Sequence, residues 1–387
     1  MAARVCPHPC EREVNSLGWP QGARRAEEHP SLVDRFPAAD RDDRISVRAV
    51  ERWLGDLALE RPPEGLGPVE ERDGEAAVVG SGPAGLSAAW TLRRAGWRVT
   101  VFESADEPGG MLRVGIPGFR LAREVLDGEL ARFRAIGVDF RCGVRVGEDV
   151  TLQELEARYG AVVLAVGHHR SRVVDLEGAR SVGDAVVPGL TFLDRFNAGL
   201  RPEIGRRVAI VGGGNTAVDC ARAAVRLGAE AVVVYRRTEE EMPAIPEEVD
   251  EARREGVRFL FQRQPVRVRA RPDGGIAEIV TVAMRQGAAE ADGRRRAETV
   301  GGSETGEPFD SVILAVGEAA DLSLLDGTGI RSNGRISTNF TGATSRPGVF
   351  ACGDAAFGHG TVTQAIATGR RTAELASQHL ARREGRG

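Results

Sequence analysis

The chain has 387 residues, of which 42% are hydrophobic and 28% are charged, a balance typical of a globular protein with two or three domains. Its net charge of -4 argues against a nucleic-acid or membrane-surface binder, and no apolar run approaches the roughly 18 residues of a membrane span. The five cysteines are odd in number and three of them stand alone in the sequence, so we expect no disulfide framework and a cytoplasmic, reducing location.

The N-terminal part of the chain gives few structural signals. Residues 1 to about 45 are polar and poorly periodic, which is typical of loop or disorder. Apolar residues at helical spacing then predict a helix over residues 46–54, and Arg61-Pro62-Pro63 predicts a linker.

The first informative motif is a glycine fingerprint between a predicted strand (76–79) and a predicted helix (83–94). It reads Gly80-Ser81-Gly82-Pro83-Ala84-Gly85. In such a motif the glycines permit a tight turn, backbone approach to a pyrophosphate and close helix packing, and the helix N-terminus attracts the phosphates. Glu103 ends the next predicted strand (98–102), where an acid accepts hydrogen bonds from ribose hydroxyls.

A second fingerprint repeats this arrangement after a predicted strand at 208–211. It reads Gly212-Gly213-Gly214-Asn215-Thr216-Ala217 and opens a predicted helix (216–227). No acid ends the following strand (231–235), because Arg236-Arg237 stands there. Guanidinium groups bind a ribose 2′-phosphate, so the motif indicates NADPH rather than NADH. The alternative is a solvated basic pair, with Arg237 paired to Glu239 or Glu240.

The remaining predicted elements complete two α/β units. We predict a helix at 122–136, strands at 138–140, 162–167, 259–261, 266–269, 276–284, 312–317 and 348–352, an exposed loop at 285–306 and a final helix at 362–380. Gly353-Asp354 lies between the last strand and the last helix, where the carboxylate can bond a ribityl hydroxyl. We expect this strand and helix to return to the first unit.

The predicted fold class is α/β, with two Rossmann-like three-layer dinucleotide-binding domains and a truncated N-terminal helical segment. The predicted domains are an N-terminal remnant (1–72), the first part of an FAD domain (73–180), an inserted NADPH domain (181–317) and the second part of the FAD domain (318–387).

Three stretches support a family resemblance. They are Glu107–Leu121, the run from Val208 to Ala244, and the run from Gly348 to Ile366. In these the chain resembles the NADPH-dependent glutamate synthase small (β) subunit and its relatives, which include the ferredoxin-NADP transhydrogenase large subunit and the N-terminal half of dihydropyrimidine dehydrogenase.

The resemblance implies the site residues of both cofactors. The FAD contacts it implies are Gly80, Ser81, Gly82, Pro83, Ala84, Gly85, Glu103, Gly110, Leu112, Arg120, Val146, Gly353, Asp354 and Thr361. The NADPH contacts, taken with the fingerprint, are Gly212, Gly213, Gly214, Asn215, Thr216, Arg236, Arg237, Ala315 and Gly317. It implies no acid–base side chain for hydride transfer and therefore no catalytic residue in that sense.

The N-terminus departs from the family pattern. Relatives carry an N-terminal domain with two [4Fe-4S] clusters, whereas here Cys6 and Cys10 match its motif and Val14 replaces the third cysteine. Two thiolates cannot ligate a four-iron cluster, so we expect none in this chain and no other metal. Three explanations of this departure stay open. The chain is a cluster-free variant, which we favour, or its start is misplaced or its gene split, or a partner supplies the missing cluster ligands.

The leading functional hypothesis is an NADPH-dependent FAD oxidoreductase that passes electrons to a partner subunit, a ferredoxin or a small acceptor. The alternatives are an NAD(P)H:ferredoxin-type oxidoreductase subunit and a non-catalytic nucleotide-binding assembly subunit. A disulfide reductase is disfavoured, because Cys142, Cys220 and Cys352 offer no redox-active pair.

Overall fold

The computed structural model describes residues 47–60, 70–172, 174, 176–272, 274–289, 295–358 and 360–385. Its α-helices are α1 (Val47–Glu60), α2 (Pro83–Arg94), α3 (Met111–Val114), α4 (Arg123–Ala135), α5 (Leu152–Arg158), α6 (Gly189–Asn197), α7 (Asn215–Arg226), α8 (Pro246–Arg254), α9 (Asp354–Phe357) and α10 (Val362–Glu384). Its strands are β1 (Glu75–Val79), β2 (Arg98–Phe102), β3 (Val138–Arg141), β4 (Ala161–Leu164), β5 (Arg170–Ser171), β6 (Val186–Pro188), β7 (Arg207–Val211), β8 (Glu230–Tyr235), β9 (Arg258–Phe261), β10 (Arg263–Ala270), β11 (Ile276–Ala289), β12 (Arg295–Thr299), β13 (Thr305–Glu307), β14 (Ser311–Leu314), β15 (Glu318–Ala319) and β16 (Val349–Ala351).

The described chain divides into two compact units. The second unit consists of Gly109–Arg123 and Gly167–Ser323, and the described residues before, between and after these two segments form the first. The predicted fold class, with one α/β unit inserted into another, is confirmed. The segment 109–123 belongs by its contacts to the second unit, although the sequence interpretation placed it within the FAD domain.

The first unit contains a five-stranded parallel sheet in the order β16-β4-β1-β2-β3. Strand β1 is buried along almost its whole length, as expected for a central parallel strand covered on both faces. Helix α2 follows it with Pro83 in its first turn, a position where proline loses no helical hydrogen bond. The strand order reverses between β1 and β4, so the crevice beyond the carboxyl end of β1 is the expected ligand site.

The second unit has three layers. Its parallel sheet runs in the order β6-β14-β7-β8-β9. Alternate residues of the central strands face opposite sides: Val208 and Ile210 join the core with α7, whereas Ala209 and Val211 join a core with β10 and β11. The third layer is an antiparallel sheet in which β11 pairs with β10, β12 and β13.

The prediction of an exposed loop over residues 285–306 is wrong for much of that range. Strand β11 continues to Ala289, and β12 pairs with it in a register that sets Met284 opposite Thr299. Residues 285–289 and β12 are rich in Gly, Ala and charged residues, so they lack the apolar alternation by which a strand is recognised. The pairing comes from the neighbouring strand, which the local sequence does not reveal.

Within the part of the chain that the structure describes, no helix is long and apolar enough to cross a lipid bilayer. The interpretations of Cys6, Cys10, Val14 and the linker Arg61-Pro62-Pro63 concern positions outside the described residues.

Candidate dinucleotide-binding sites

The first glycine fingerprint forms a tight turn at the carboxyl end of β1. Gly80 has a φ of +101°, and a Cβ there would collide with the backbone of Ala165. A Cβ at Gly85 would collide with the carbonyl oxygen of Gly80, whereas a Cβ at Gly82 would meet no atom within 4 Å. Gly80 and Gly85 are therefore required by the protein's own packing, and Gly82 borders open space.

The start of helix α2 suits an anion. Gly82 is its N-cap and has an extended conformation, with no side-chain hydrogen bond to the N-terminal turn. The orphan N–H groups of such a turn, together with the positive end of the helix dipole, favour a phosphate group. The geometry therefore fits the predicted pyrophosphate contacts at Gly82, Pro83 and Ala84.

The carboxylate of Glu103 fastens the loop to the end of β2. One oxygen accepts hydrogen bonds from the backbone N–H of Ser81, at 3.0 Å, and from the Ser81 hydroxyl. The other oxygen accepts from the N–H of Ala105 at 2.9 Å and from Ser104 Oγ at 3.2 Å. Glu103 is buried, so four hydrogen bonds compensate its removal from water. Its contact with ribose stays a prediction.

The second half of the first site lies between β16 and α10. Gly353, which precedes Asp354, has a φ of +68°, and a Cβ there would lie 2.8 Å from the Cβ of Ala84 in the fingerprint. Its N–H donates to Thr368 Oγ1 at 3.1 Å. Thr361 caps α10 through a reciprocal capping box with Gln364. The fold thus brings Gly353, the residue before Asp354, beside the start of α2. The predicted ribityl contact of Asp354 stays a prediction.

The second fingerprint has the same form in the second unit. Gly212 has a φ of +148°, and a Cβ there would collide with the carbonyl oxygen of Ala315. A Cβ at Gly213 would collide with the ring of Tyr235, whereas a Cβ at Gly214 would meet nothing within 4 Å. Gly214 is also the N-cap of α7, without a side-chain cap. The arrangement fits a second pyrophosphate.

Other predicted residues of the second site frame this loop. Asn215 Oδ1 accepts a hydrogen bond from the N–H of Ile245 at 3.0 Å, and the carbonyl oxygen of Gly317 accepts one from the N–H of Arg172 at 3.0 Å. Ala315 is buried and its N–H donates to the carbonyl of Val211. Gly317 has a φ of +105°, which favours glycine in this turn.

The two predicted phosphate-binding arginines differ in environment. Arg236 is exposed at the carboxyl end of β8, and no carboxylate among the described residues pairs with it. Arg237 is buried, and its Nε donates to the carbonyl oxygen of Arg295 at 3.1 Å. Glu239, one suggested partner of Arg237, pairs with Arg253 at 2.7 Å. Arg236 is therefore the more accessible of the two arginines to a ligand. Arg237 instead stabilises the end of strand β8 through its hydrogen bond.

The remaining predicted FAD contacts divide between the two units. Val146 lies in the first unit and is buried. Gly110, Leu112 and Arg120 lie in the second unit, where Gly110 precedes α3 with a φ of +51° and Leu112 is fully buried. Arg120 pairs with Asp219 and with Glu248.

A largely buried charge network that no sequence motif predicted surrounds Arg120. Arg222 pairs with Glu248 and Glu255, and Arg226 also pairs with Glu255. The signal was present on α7, because Asp219, Arg222 and Arg226 recur at three- and four-residue spacing on a helix made otherwise mainly of Ala and Val.

Both loops therefore fit dinucleotides on structural grounds: each pairs an uncapped helix start with a glycine that borders open space. Residues 74–369 match the Pyridine nucleotide-disulphide oxidoreductase family. The chain belongs to this family. At the level of this family, the predicted family resemblance, the oxidoreductase class and the cofactor pair FAD and NADPH are confirmed.

Comparison with individual curated proteins identifies more specific relatives within the family. The chain is 38% identical to NADP(+)-dependent formate dehydrogenase subunit beta of Moorella thermoacetica, covering 97% of this chain and 54% of that protein. It is 37% identical to the glutamate synthase [NADPH] small chain of Escherichia coli, covering 89% of this chain and 75% of that protein. The chain spans only a little over half the length of the first relatives it matches.

Solved structures show the same fold. FprA of Mycobacterium tuberculosis in complex with NADPH superposes with a TM-score of 0.67 at 20% identity, covering 81% of this chain and 86% of that one. Thioredoxin reductase of Lactococcus lactis gives a TM-score of 0.61 at 20% identity, covering 80% and 100% of the two chains.

Two of the three described cysteines, Cys220 and Cys352, do not suit disulfide chemistry. Cys220 and Cys352 are completely buried. Burial raises the pKa of the Cys352 thiol to about 12 and raises the pKa of Cys220 well above its ordinary value. A reactive cysteine needs an accessible thiolate, so these two are structural.

Proposed function

We propose that this chain is an NADPH-dependent FAD oxidoreductase that passes electrons to a partner protein. The observation that carries the proposal is the contrast between the two fingerprints. The strand after the first loop ends in the buried acid Glu103, and the strand after the second ends in the exposed Arg236. An acid favours ribose hydroxyls and repels a 2′-phosphate, whereas a guanidinium binds that phosphate.

Each side chain has a binding role in this proposal. The N-terminus of α2 neutralises the FAD pyrophosphate, Glu103 holds the loop and accepts from ribose, and Asp354 accepts from the ribityl chain. The N-terminus of α7 receives the NADPH pyrophosphate, and Arg236 receives the 2′-phosphate. When bound, FAD supplies a two-electron acceptor for the nicotinamide hydride. The chain's own contribution is orientation and charge, without an acid–base side chain.

The proposed acceptor is a protein. Several relatives are named as subunits, among them a formate dehydrogenase subunit beta and an NADPH-Fe(3+) oxidoreductase subunit beta. An acceptor that is another subunit or a ferredoxin agrees with those names, and a cytoplasmic location stays the expectation.

Anaerobic titration of the flavin-loaded chain tests the proposal. NADPH should bleach the absorbance of the oxidised flavin, and NADH should do so only at much higher concentration. An artificial one-electron dye then tests onward transfer without knowledge of the partner. If the chain binds no FAD, or if its bound flavin stays oxidised after NADPH is added, the result supports a non-catalytic assembly subunit instead.

A further inference from the structure

A cavity of about 230 Å³ lies in the first unit, between helix α10 and the segment that leads into β16. Three side chains of α10 line it, namely Leu375, His379 and Arg382. They are four and three residues apart, so they share one face of the helix. The facing wall comes from residues between Asn339 and Phe350. The cavity is therefore built entirely from the first unit.

This cavity lies at the opposite end of the sheet from the first glycine loop. Val349, one of its wall residues, is the first residue of β16, which runs parallel to β4 and, through β4, to β1. The glycine loop follows the last residue of β1, and Gly353 comes shortly after the last residue of β16. In a parallel sheet the strands begin at one edge and end at the other. The cavity is therefore separate from the proposed FAD site.

Most of the cavity wall is apolar. Its apolar side chains are Ala343, Pro347, Val349, Phe350 and Leu375. An apolar cavity of about 150 Å³ holds a benzene molecule, so this one has room for roughly nine non-hydrogen atoms. Such walls favour the body of a small organic molecule over a hydrated inorganic ion.

The charged groups at the cavity favour an anion. No acidic side chain among the described residues lines it. Arg346 is already held, because its Nε pairs with Glu156 and its Nη1 donates to the carbonyl oxygen of Thr328 at 2.8 Å. Arg382 is exposed and has no carboxylate partner in the described part of the chain. Its guanidinium can therefore bind a carboxylate without losing another ion pair.

His379 contributes a second polar group. Its Nε2 is buried, and no described residue forms a hydrogen bond with it. A buried polar atom without a partner costs free energy, which a bound ligand group can recover. Burial lowers the pKa of His379 below its ordinary value, the charges of Arg383 and Arg382 lower it further, and the carbonyl of Gly160 opposes the shift. An anion beside the imidazole would raise this pKa, because it favours the protonated form.

We propose that this cavity binds a small carboxylate with an apolar body, which places its carboxylate on Arg382 and His379 and its body against Phe350 and Leu375. An inorganic anion would use the same donors and gain nothing from the apolar walls. The inference goes beyond the proposed function and does not depend on it, since no residue of either glycine loop lines the cavity.

Calorimetric titration of the full chain with benzoate tests the proposal, because benzoate matches the size of the cavity. Binding should be saturable, with one site per chain. Arg382→Gln should weaken it by about fivefold, and Ala343→Leu, which fills the cavity from its wall, should abolish it. Arg370→Gln is the matched control, since Arg370 is an exposed arginine of the same helix that pairs with Glu374. The control should bind benzoate within about twofold of the wild type.

Nuclear magnetic resonance of labelled histidine provides a second readout at the cavity itself, with the signal of His379 assigned by its loss in His379→Gln. Saturating benzoate should raise the pKa of His379. Benzoate should correspondingly bind more tightly as the pH decreases from about 7 to about 5.5, a range in which a carboxylate stays ionised. Thermal unfolding shows which variants are folded, and the wild-type measurements do not depend on them.

Three results would overturn the inference. They are wild-type protein that shows no saturable binding of benzoate, benzoate binding that is equal in wild type, Arg382→Gln and Ala343→Leu, and sulfate that binds as tightly as benzoate. The last result would mean that the apolar walls contribute nothing. None of them bears on the proposed function, which fails only if the chain does not bind FAD or if NADPH does not reduce its flavin.

Discussion

Glu103 and Ser81, 22 residues apart in sequence, are joined by two hydrogen bonds to one carboxylate oxygen. The bond from the Ser81 backbone N–H fixes the glycine loop to the end of β2, and the bond from the hydroxyl secures the same oxygen. A single carboxylate thus organises the loop, so loop shape and ligand affinity should change together.

The first prediction concerns this pair. Glu103→Ala should lower the free energy of unfolding by about 2 kcal/mol, since it removes a buried carboxylate that accepts four hydrogen bonds. It should also weaken FAD binding strongly and leave NADPH binding to the second unit unchanged. Ser81→Ala, which retains the backbone N–H, should show a smaller loss in both measurements. Urea unfolding and fluorescence titration measure the two effects, and equal loss of NADPH affinity would contradict the assignment of Glu103 to the FAD site.

The second prediction separates glycines required by the protein from those required by a ligand. Gly85→Ala should destabilise the ligand-free protein by about 2 kcal/mol, because the added methyl collides with the carbonyl oxygen of Gly80. Gly82→Ala should leave that stability within about 0.5 kcal/mol and still reduce FAD affinity by about tenfold or more. If Gly82→Ala binds FAD normally, the pyrophosphate does not approach Gly82.

The third prediction repeats this comparison in the second unit. Gly213→Ala should destabilise the ligand-free protein, since its methyl would enter the ring of Tyr235. Gly214→Ala, with open space around its Cβ, should leave stability unchanged and raise the Michaelis constant for NADPH. Thermal unfolding of the ligand-free protein and steady-state kinetics give the two readouts. An unchanged Michaelis constant in Gly214→Ala would argue against a nucleotide at this loop.

The fourth prediction tests the two arginines separately. Arg236→Ser should raise the Michaelis constant for NADPH by about tenfold or more and leave that for NADH nearly unchanged. Arg237→Ser should mainly lower thermal stability, because Arg237 is buried and bonds the carbonyl oxygen of Arg295. Arg258→Ser, an exposed arginine at the opposite end of the neighbouring strand, is the matched control. Equal effects of Arg236→Ser on both nucleotides would reject a 2′-phosphate role.

Much of the fold was predictable where local sequence determines structure. The predicted bounds of β2 and α2 agree with the structure, because the β-branched and aromatic residues of β2 and the proline in the first turn of α2 identify them without distant contacts. The loop predicted over β12 and β13 was wrong, because those strands depend on pairing with β11 rather than on their own composition.

The candidate sites show the same division. The glycine loops and Glu103 are recognisable because a dinucleotide requires a fixed spacing within one strand–loop–helix unit. The pairing of Arg120 with Asp219, 99 residues further along the chain, depends on how residues 109–123 pack against the second unit, and no local pattern encodes it. Likewise, the sequence predicts the same phosphate-binding role for Arg236 and Arg237, and only their burial distinguishes them.

The last prediction concerns pH and the outer end of the charge network. Hydrogen bonds from Arg226, followed by those from Arg222, lower the pKa of Glu255 to about 2, against an ordinary value of 4.5. A carboxyl group whose pKa is lower in the folded state stabilises the protein above its unfolded pKa, and this stabilisation is lost as the pH falls towards the folded pKa. Glu255→Gln should therefore cost about 2 kcal/mol near neutral pH and progressively less between about pH 4.5 and 2.

Urea unfolding at a series of pH values measures this difference. Glu251→Gln is the control, because Glu251 pairs with Arg254 on the exposed face of α8, where an ion pair contributes little. Its effect should be small at every pH. A cost of Glu255→Gln that stays constant as the pH falls would mean that the glutamate stabilises the protein through packing rather than through its charge, because only the charge is titrated away.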